Sequence, residues 1–470
     1  MELIIIQKKL IPLFQDTALK SNLIEMTYHV KNLIFVAFIT FQIIESNSKG
    51  DSNWPSWRGI TGNGSAPDTS KPPREWSEEK NILWKLKTEG LGHSTPIVWE
   101  NKLYYTSAIP VGEKRIPPVP DNAPGSHDNL PVSQSHHFIA VCVDKRSGKI
   151  LWKTKCNESF PHEGGHKSGS LASASPVTDG KHLFAYFGSY GLYSINCETG
   201  KILWQRDFGT MATKHGHGEG SSPALKEDTI IINWDHEKES AIYAIDKTTG
   251  EDLWKAERKE VTSWSSPIIV KVSGTNQVIV SATDRIRGYN LSNGKIIWEC
   301  SGMSNNVVAS PVSENGKVYL GCSYDKRAMV AINLQGAKGN ITDTDHVMWT
   351  TNKRTPYVPS PLLYKGTLYY LSHYQGILSV THAESGKTKS GPFRIDSLRE
   401  IYSSPVAASD HVYITSREGL TIVISHQDEP KPIAFNTLDD SFSASAAISG
   451  NQIFLRGEKY LYCIGLKEDN

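Results

Sequence analysis

The chain has 470 residues, 38% hydrophobic and 21% charged, the composition of an ordinary globular protein and not of a disordered or fibrous one. Its formal net charge of +1 removes the general electrostatic case for a nucleic acid partner or an anionic membrane surface. Tryptophan is abundant at 12, methionine scarce at 6, and no long helical pattern follows the first fifty residues, which points to an all-β chain.

Near the N-terminus, Lys31 precedes about a dozen apolar residues from Leu33 to Ile44, and Ser46 and Ser48 follow. The run is short for a bilayer span and matches a secretory h-region with small cleavage-site residues. Residues 1–50 are therefore expected to be a signal peptide or N-terminal hydrophobic segment, with Met26 as the natural start and 1–25 an over-extended gene model. Either form places the rest of the chain outside the cytoplasm, periplasmic or secreted, with membrane association only through this segment. Residues 51–80, which include NWPSWRGITGNGSAPDTSKPPREW (53–76), are rich in Pro, Gly and Ser. They are expected to form an extended strap anchored by Trp54, Trp57 and Trp76.

From residue 81 onward the chain repeats itself. One element appears as STPIV (94–98), SASPV (173–177), SSPAL (221–225), SSPII (265–269), ASPV (309–312), PSPLL (359–363), SSPVA (403–407) and the degenerate SASAAI (443–448). After the first copy, which is followed by an insertion at 107–137, the spacing is about 41 to 50 residues. A second element lies between the copies: VDKRSGKILW (143–152), NCETGKILW (196–204), DKTTGEDLW (246–254) and NLSNGKIIW (290–298), with later units reduced to Trp349 and to HAESGKTKSGPF (382–393). Short alternating runs such as HLFAYFGS and HVYITS fill the gaps and read as half-buried strands. Four strands per unit and eight units predict an eight-bladed β-propeller over 81–470. The chain ends without an outer Trp strand but begins with an orphan NILWKL (81–86), so the N-terminal strand is expected to complete the last blade and leave no open sheet edge.

The D-x-x-T-G-x-x-x-W strand pair followed by S-S-P resembles the tryptophan-docking repeat of pyrroloquinoline quinone (PQQ) propellers. That group includes quinoprotein alcohol dehydrogenases and the outer-membrane assembly lipoprotein of the Bam complex. The resemblance implies that Trp84, Trp152, Trp204, Trp254, Trp298 and Trp349 dock between blades as structural residues, a use suited to a large apolar face carrying one donor. In the dehydrogenases the cofactor lies on an adjacent-cysteine disulfide, beside calcium and a catalytic Asp. The six cysteines here (142, 156, 197, 300, 322, 463) include no adjacent pair, so PQQ with calcium lacks that platform and no catalytic residue carries over. Six cysteines permit many disulfide connectivities, and spacing does not choose among them.

Strand alternation puts the short T-G turns on one face of the ring and the irregular loops on the other. HEGGH (162–166) matches the zinc-protease signature, but its Gly-Gly spacer and the preceding Pro161 predict a loop in place of a helix. On the irregular face His162, His166, His215, His217, Asp235 and His236 form a candidate metal set, with Glu163 and Glu219 in the same loops. His93, Trp264, Asn305, Tyr357, Tyr402 and Arg285 are candidate cofactor or ligand contacts, with Asn306, Arg287, Lys326 and Arg327 beside them. The expected function is that of a binding or scaffold propeller acting through this face on a protein or glycan partner. A PQQ- or metal-dependent oxidoreductase is the alternative, and a carbohydrate-binding propeller the third reading.

Overall fold

The computed structural model describes residues 52–115, 128–372 and 375–467; the expected signal segment and the tip of the insertion lie outside these residues. Eight antiparallel sheets follow one another around a ring. Blade 1 spans 97–159, blade 2 177–206, blade 3 224–258, blade 4 268–301, blade 5 312–351, blade 6 362–394 and blade 7 406–437. Blade 8 takes its three inner strands from 447–464 and its outer strand from Ile82–Lys87, which pairs antiparallel with Tyr460–Ile464. Inner strands such as His182–Tyr186 are almost wholly buried, whereas outer strands such as Ile202–Arg206 alternate between covered and exposed residues. The runs read as half-buried from the sequence, HLFAYFGS and HVYITS among them, are thus buried strands in the middle of their blades, and the alternation of covered and exposed residues belongs to the outermost strands.

Five of the six outer tryptophans explain the turn glycine of the next blade. Trp152 Nε1 donates to Cys197 O at 3.0 Å, Trp204 Nε1 to Lys247 O at 3.0 Å and Trp254 Nε1 to Leu291 O at 2.7 Å. Trp84 and Trp349 repeat the contact on Lys145 O and Ala383 O, at 3.0 and 2.9 Å. The ring then lies flat on the turn glycine: a Cβ at Gly250 would come within 2.7 Å of Trp204, and the φ of +77° there is itself a conformation that favours glycine. Trp298 is the exception. Blade 5 has no T-G turn, and Trp298 instead bonds Gln277 of its own blade at 2.9 Å, packs on Gly288, and pairs with the added parallel strand Gly339–Asn340.

The Ser-Pro element has a different use. The hydroxyl at the Ser-Pro position of each unit, Ser445 before Ala446 in the degenerate copy, accepts the amide N–H of its counterpart one blade earlier: Thr95 to Ser175, Ser175 to Ser222, Ser222 to Ser266, Ser266 to Ser310, Ser310 to Ser360, Ser360 to Ser404 and Ser404 to Ser445, all between 2.8 and 2.9 Å. These side chains are buried, so the belt satisfies amides that water does not reach and sets the pitch between blades. It opens only between blades 8 and 1, where Thr95 Oγ1 has no partner.

The strap crosses the ring on the side of the inner hairpins. Trp54 exchanges two backbone hydrogen bonds with Val98, and Asn63 two bonds with Ser313, at 2.8–2.9 Å. The buried Arg58 donates to Pro361 O and Pro405 O, both at 3.0 Å, and burial lowers its guanidinium to about 9. Trp57 Nε1 reaches Ser445 Oγ of the belt at 3.4 Å, so the strap runs as far as the central axis.

Candidate functional site: a funnel on the loop face

A cavity of about 730 Å³ occupies the centre of the ring and opens on the loop face. Its lower wall holds Trp57 of the strap and the belt hydroxyls of Ser175, Ser222, Ser266, Ser404 and Ser445. One sequence rule builds the next tier: the residue two places before each belt hydroxyl lines the funnel in all eight blades, giving His93, Ser173, Gly220, Trp264, Val308, Val358, Tyr402 and Ser443 in ring order. Tyr324 and Tyr357, stacked with centroids 5.9 Å apart, add a second aromatic wall at blades 5 and 6.

The HEGGH stretch is a loop, as its glycines require. Gly165–His166 pairs antiparallel with Asn129–Leu130, forming a two-stranded flap between this loop and the long insertion. A Cβ at Gly164 would lie 2.3 Å from Leu130 O, which is why glycine stands there. The flap brings His166 and His217 edge to face, with centroids 5.0 Å apart, and His215 lies 5.3 Å from His217.

The remaining members of the expected metal set do not join them. His162 uses both ring nitrogens, on Tyr190 Oη at 3.1 Å and Met211 O at 2.8 Å. His236 does the same with the amide of Ala212 and the carbonyl of Glu239. Asp235 is held in a bidentate pair by Arg258, at 2.7 and 3.0 Å, with both side chains fully buried. Among the described residues no three His, Cys, Asp or Glu side chains are arranged to hold a metal ion.

Of the expected ligand contacts, His93, Trp264, Tyr357 and Tyr402 line the funnel. Burial, reinforced by the charges of Arg456 and Arg417, lowers His93 to about 3, so its imidazole is neutral at physiological pH. Asn305 is turned away onto Asp325, and its neighbour Asn306, at φ +55°, takes the place in the wall. Arg285 lies in the third strand of blade 4 and is not part of the wall; Arg287 is consumed by Glu260 and Glu299.

Glu219 carries more weight than its sequence position conveyed. Its carboxylate accepts the Ser189 amide at 2.7 Å and the Ser189 hydroxyl at 2.5 Å, in a seat that exists because residue 188 is glycine: a Cβ there would lie 1.4 Å from Oε2. Burial raises Glu219 to about 7 against the pull of Ser189, and the nearby Glu163 adds to the rise. Glu163 in turn accepts the Thr213 hydroxyl at 2.5 Å. The glycine pair in FGSYG (187–191) was the available signal for this seat.

Residues 136–389 and 238–469 match the family model described as outer membrane protein assembly factor BamB. The chain belongs to this family of PQQ-like propellers. Among its relatives, the BamB of Shewanella oneidensis is 24% identical over 199 residues, 41% of this chain and 45% of that protein. The tetrathionate hydrolase of Acidithiobacillus ferrooxidans is 23% identical over 256 residues, 49% of this chain and 48% of that protein. The chain thus spans about half the length of each of these relatives. Among solved structures, BamB from Moraxella catarrhalis aligns with a TM-score of 0.52 at 11% identity, covering 77% of this chain and 99% of its own. Quinohemoprotein alcohol dehydrogenase ADHIIG from Pseudomonas putida HK5 aligns with a TM-score of 0.54 at 10% identity, covering 90% of this chain and 82% of its own. These likenesses concern the fold alone.

PQQ-like propellers are named for a flat tricarboxylic quinone, and a site for it needs cations facing its carboxylates. Among the described residues this funnel offers one such side chain, Lys114, and sets Glu163 and Glu219 in its wall. All six cysteines are free thiols and none lines the funnel. The residues present do not fit PQQ.

Proposed function

We propose that this propeller is an exported binding protein whose working surface is the loop-face funnel, and that the funnel receives a segment of a protein partner. The observation that carries the reading is the character of the wall. His93, Tyr186, Asn233, Asn306 and Ser443 all line the funnel, and each has a buried side-chain nitrogen or oxygen without a hydrogen-bond partner in the protein. An unmet buried polar group costs about 1–3 kcal/mol, so five in one cavity favour an occupant that supplies polar groups of its own. Trp264, Tyr324, Tyr357 and Tyr402 provide the large apolar faces on which binding sites concentrate their energy. The Bam-type relatives support a docking role, and the apolar run at 33–44 supports export; no helix of the described residues is long and apolar enough to cross a membrane.

A photoreactive amino acid placed at position 264, in cells that natively make the protein, should give a discrete protein adduct. The same amino acid at Leu253, half exposed on the outer strand of blade 3, should give none. Adducts from 253 with nothing from 264 would move the binding surface to the rim and end this reading.

A further inference from the structure

The wall treats its carboxylates unequally. Asp235 is fully compensated by Arg258, with both side chains buried, as a structural charge should be. Asp128 faces Lys167 at 2.7 Å. Glu219 receives hydrogen bonds only from Ser189 in the contacts described above, and among the described residues no cation lies within ion-pairing distance of it. The charge that acts on it is that of Glu163, a second carboxylate. Glu219 keeps part of its surface open to the funnel. Asn233 and Asn306, 1% and 3% exposed, line the same cavity, and the unpaired atom of each is the amide oxygen, an acceptor. Trp264 is fixed beside this group: its Nε1 donates to Gly218 O at 2.7 Å, and its ring edge lies 3.6 Å from the place a Cβ would take at Gly220.

We propose that the funnel is a receptor for a primary ammonium group, which pairs with Glu219, donates to the amide oxygens of Asn233 and Asn306, and lies against the indole of Trp264. Carboxylates, carbonyl-type acceptors and an aromatic face are the three kinds of group that recognise an alkylammonium. An anion would meet Glu163 and Glu219, and a neutral polyol would satisfy the acceptors while leaving Glu219 without a counter-charge. The cavity is far larger than an ammonium group, so the group arrives on a chain, either a small free amine or a lysine side chain of a protein segment. The inference rests on the funnel being the working surface proposed above.

The test uses the full mature chain and calorimetric titration with four probes: n-butylamine, butan-1-ol, a five-residue peptide Gly-Ala-Lys-Ala-Gly, and its analogue with norleucine in place of lysine. Saturable binding of butylamine or the lysine peptide, at least tenfold tighter than its uncharged counterpart and weakened at least tenfold by Glu219→Gln, is the expected result. Preference for the peptide over butylamine identifies a lysine side chain as the source, and the reverse identifies a free amine. Equal binding of charged and uncharged probes, or no binding of either amine, overturns the proposal, and these comparisons need only the wild-type chain if the variant does not fold. Undiminished amine binding by a folded Glu219→Gln variant overturns it as well. A partner adduct from position 264 without amine binding sinks the ammonium claim alone, whereas loss of both removes the funnel as the working surface.

Discussion

Asp235→Ala will cost this protein about 3–5 kcal/mol, because it leaves the guanidinium of Arg258 buried without its partner. The pair joins the second strand of blade 3 to its outer strand at the level of the funnel wall, and Arg258 also donates to Tyr289 Oη of blade 4 at 2.5 Å. One substitution therefore disturbs two blades. Replacing both partners, as Asp235→Ala with Arg258→Met, should recover a large part of the loss, since the penalty comes from the stranded charge and not from the missing attraction. Urea denaturation followed by tryptophan fluorescence reads both variants. A single variant within about 1 kcal/mol of wild type would mean that water reaches the pair.

Trp298→Ala is the second large effect, about 3–5 kcal/mol, and it should exceed that of Trp254→Ala measured in the same way. Trp298 is completely buried and its removal strands Gln277, whereas Trp254 keeps part of its ring in solvent and lies on a glycine turn. Thermal unfolding of the two variants gives the comparison. Equal losses would show that the added strand Gly339–Asn340 does not seal Trp298 from water.

The two tryptophans also show which parts of the fold were legible. The T-G turn and the following Trp recur at constant spacing, so the docking of Trp152, Trp204 and Trp254 on the next blade could be read from the repeat. Blade 5 replaces the turn with NLQGAKGNITDTDH, and the periodicity holds no record of how Trp298 is then covered. The Ser-Pro element was legible as a landmark and not as a hydrogen-bond belt, because the amide it satisfies belongs to a residue more than forty positions earlier.

The site divides along the same line. His93, Trp264 and Tyr402 stand two residues before a belt hydroxyl, so they occupy one tier by symmetry and were within reach of sequence reasoning. Asn305 was chosen over Asn306 because neighbouring loop residues are indistinguishable without a backbone conformation. Of the metal set the structure brings together only His166, His215 and His217, for a different reason. Counting histidines in loops takes no account of the acceptors they already use, and Tyr190, Met211 O and Glu239 O are invisible from spacing. Glu219 was named only as a loop neighbour of the metal set, because the glycine signal for its seat lies about thirty residues away in FGSYG and nothing in its own segment points there.

The claim on which the functional account turns is that this PQQ-like propeller binds through its funnel without using the quinone. Titration of the purified mature chain with PQQ in the presence of calcium, followed by intrinsic tryptophan fluorescence, tests it most directly, since Trp57 and Trp264 both line the cavity. The account predicts no saturable quenching. One-to-one quenching at micromolar PQQ or below would contradict it and make the Glu163–Glu219 wall the place to look for an oxidoreductase base.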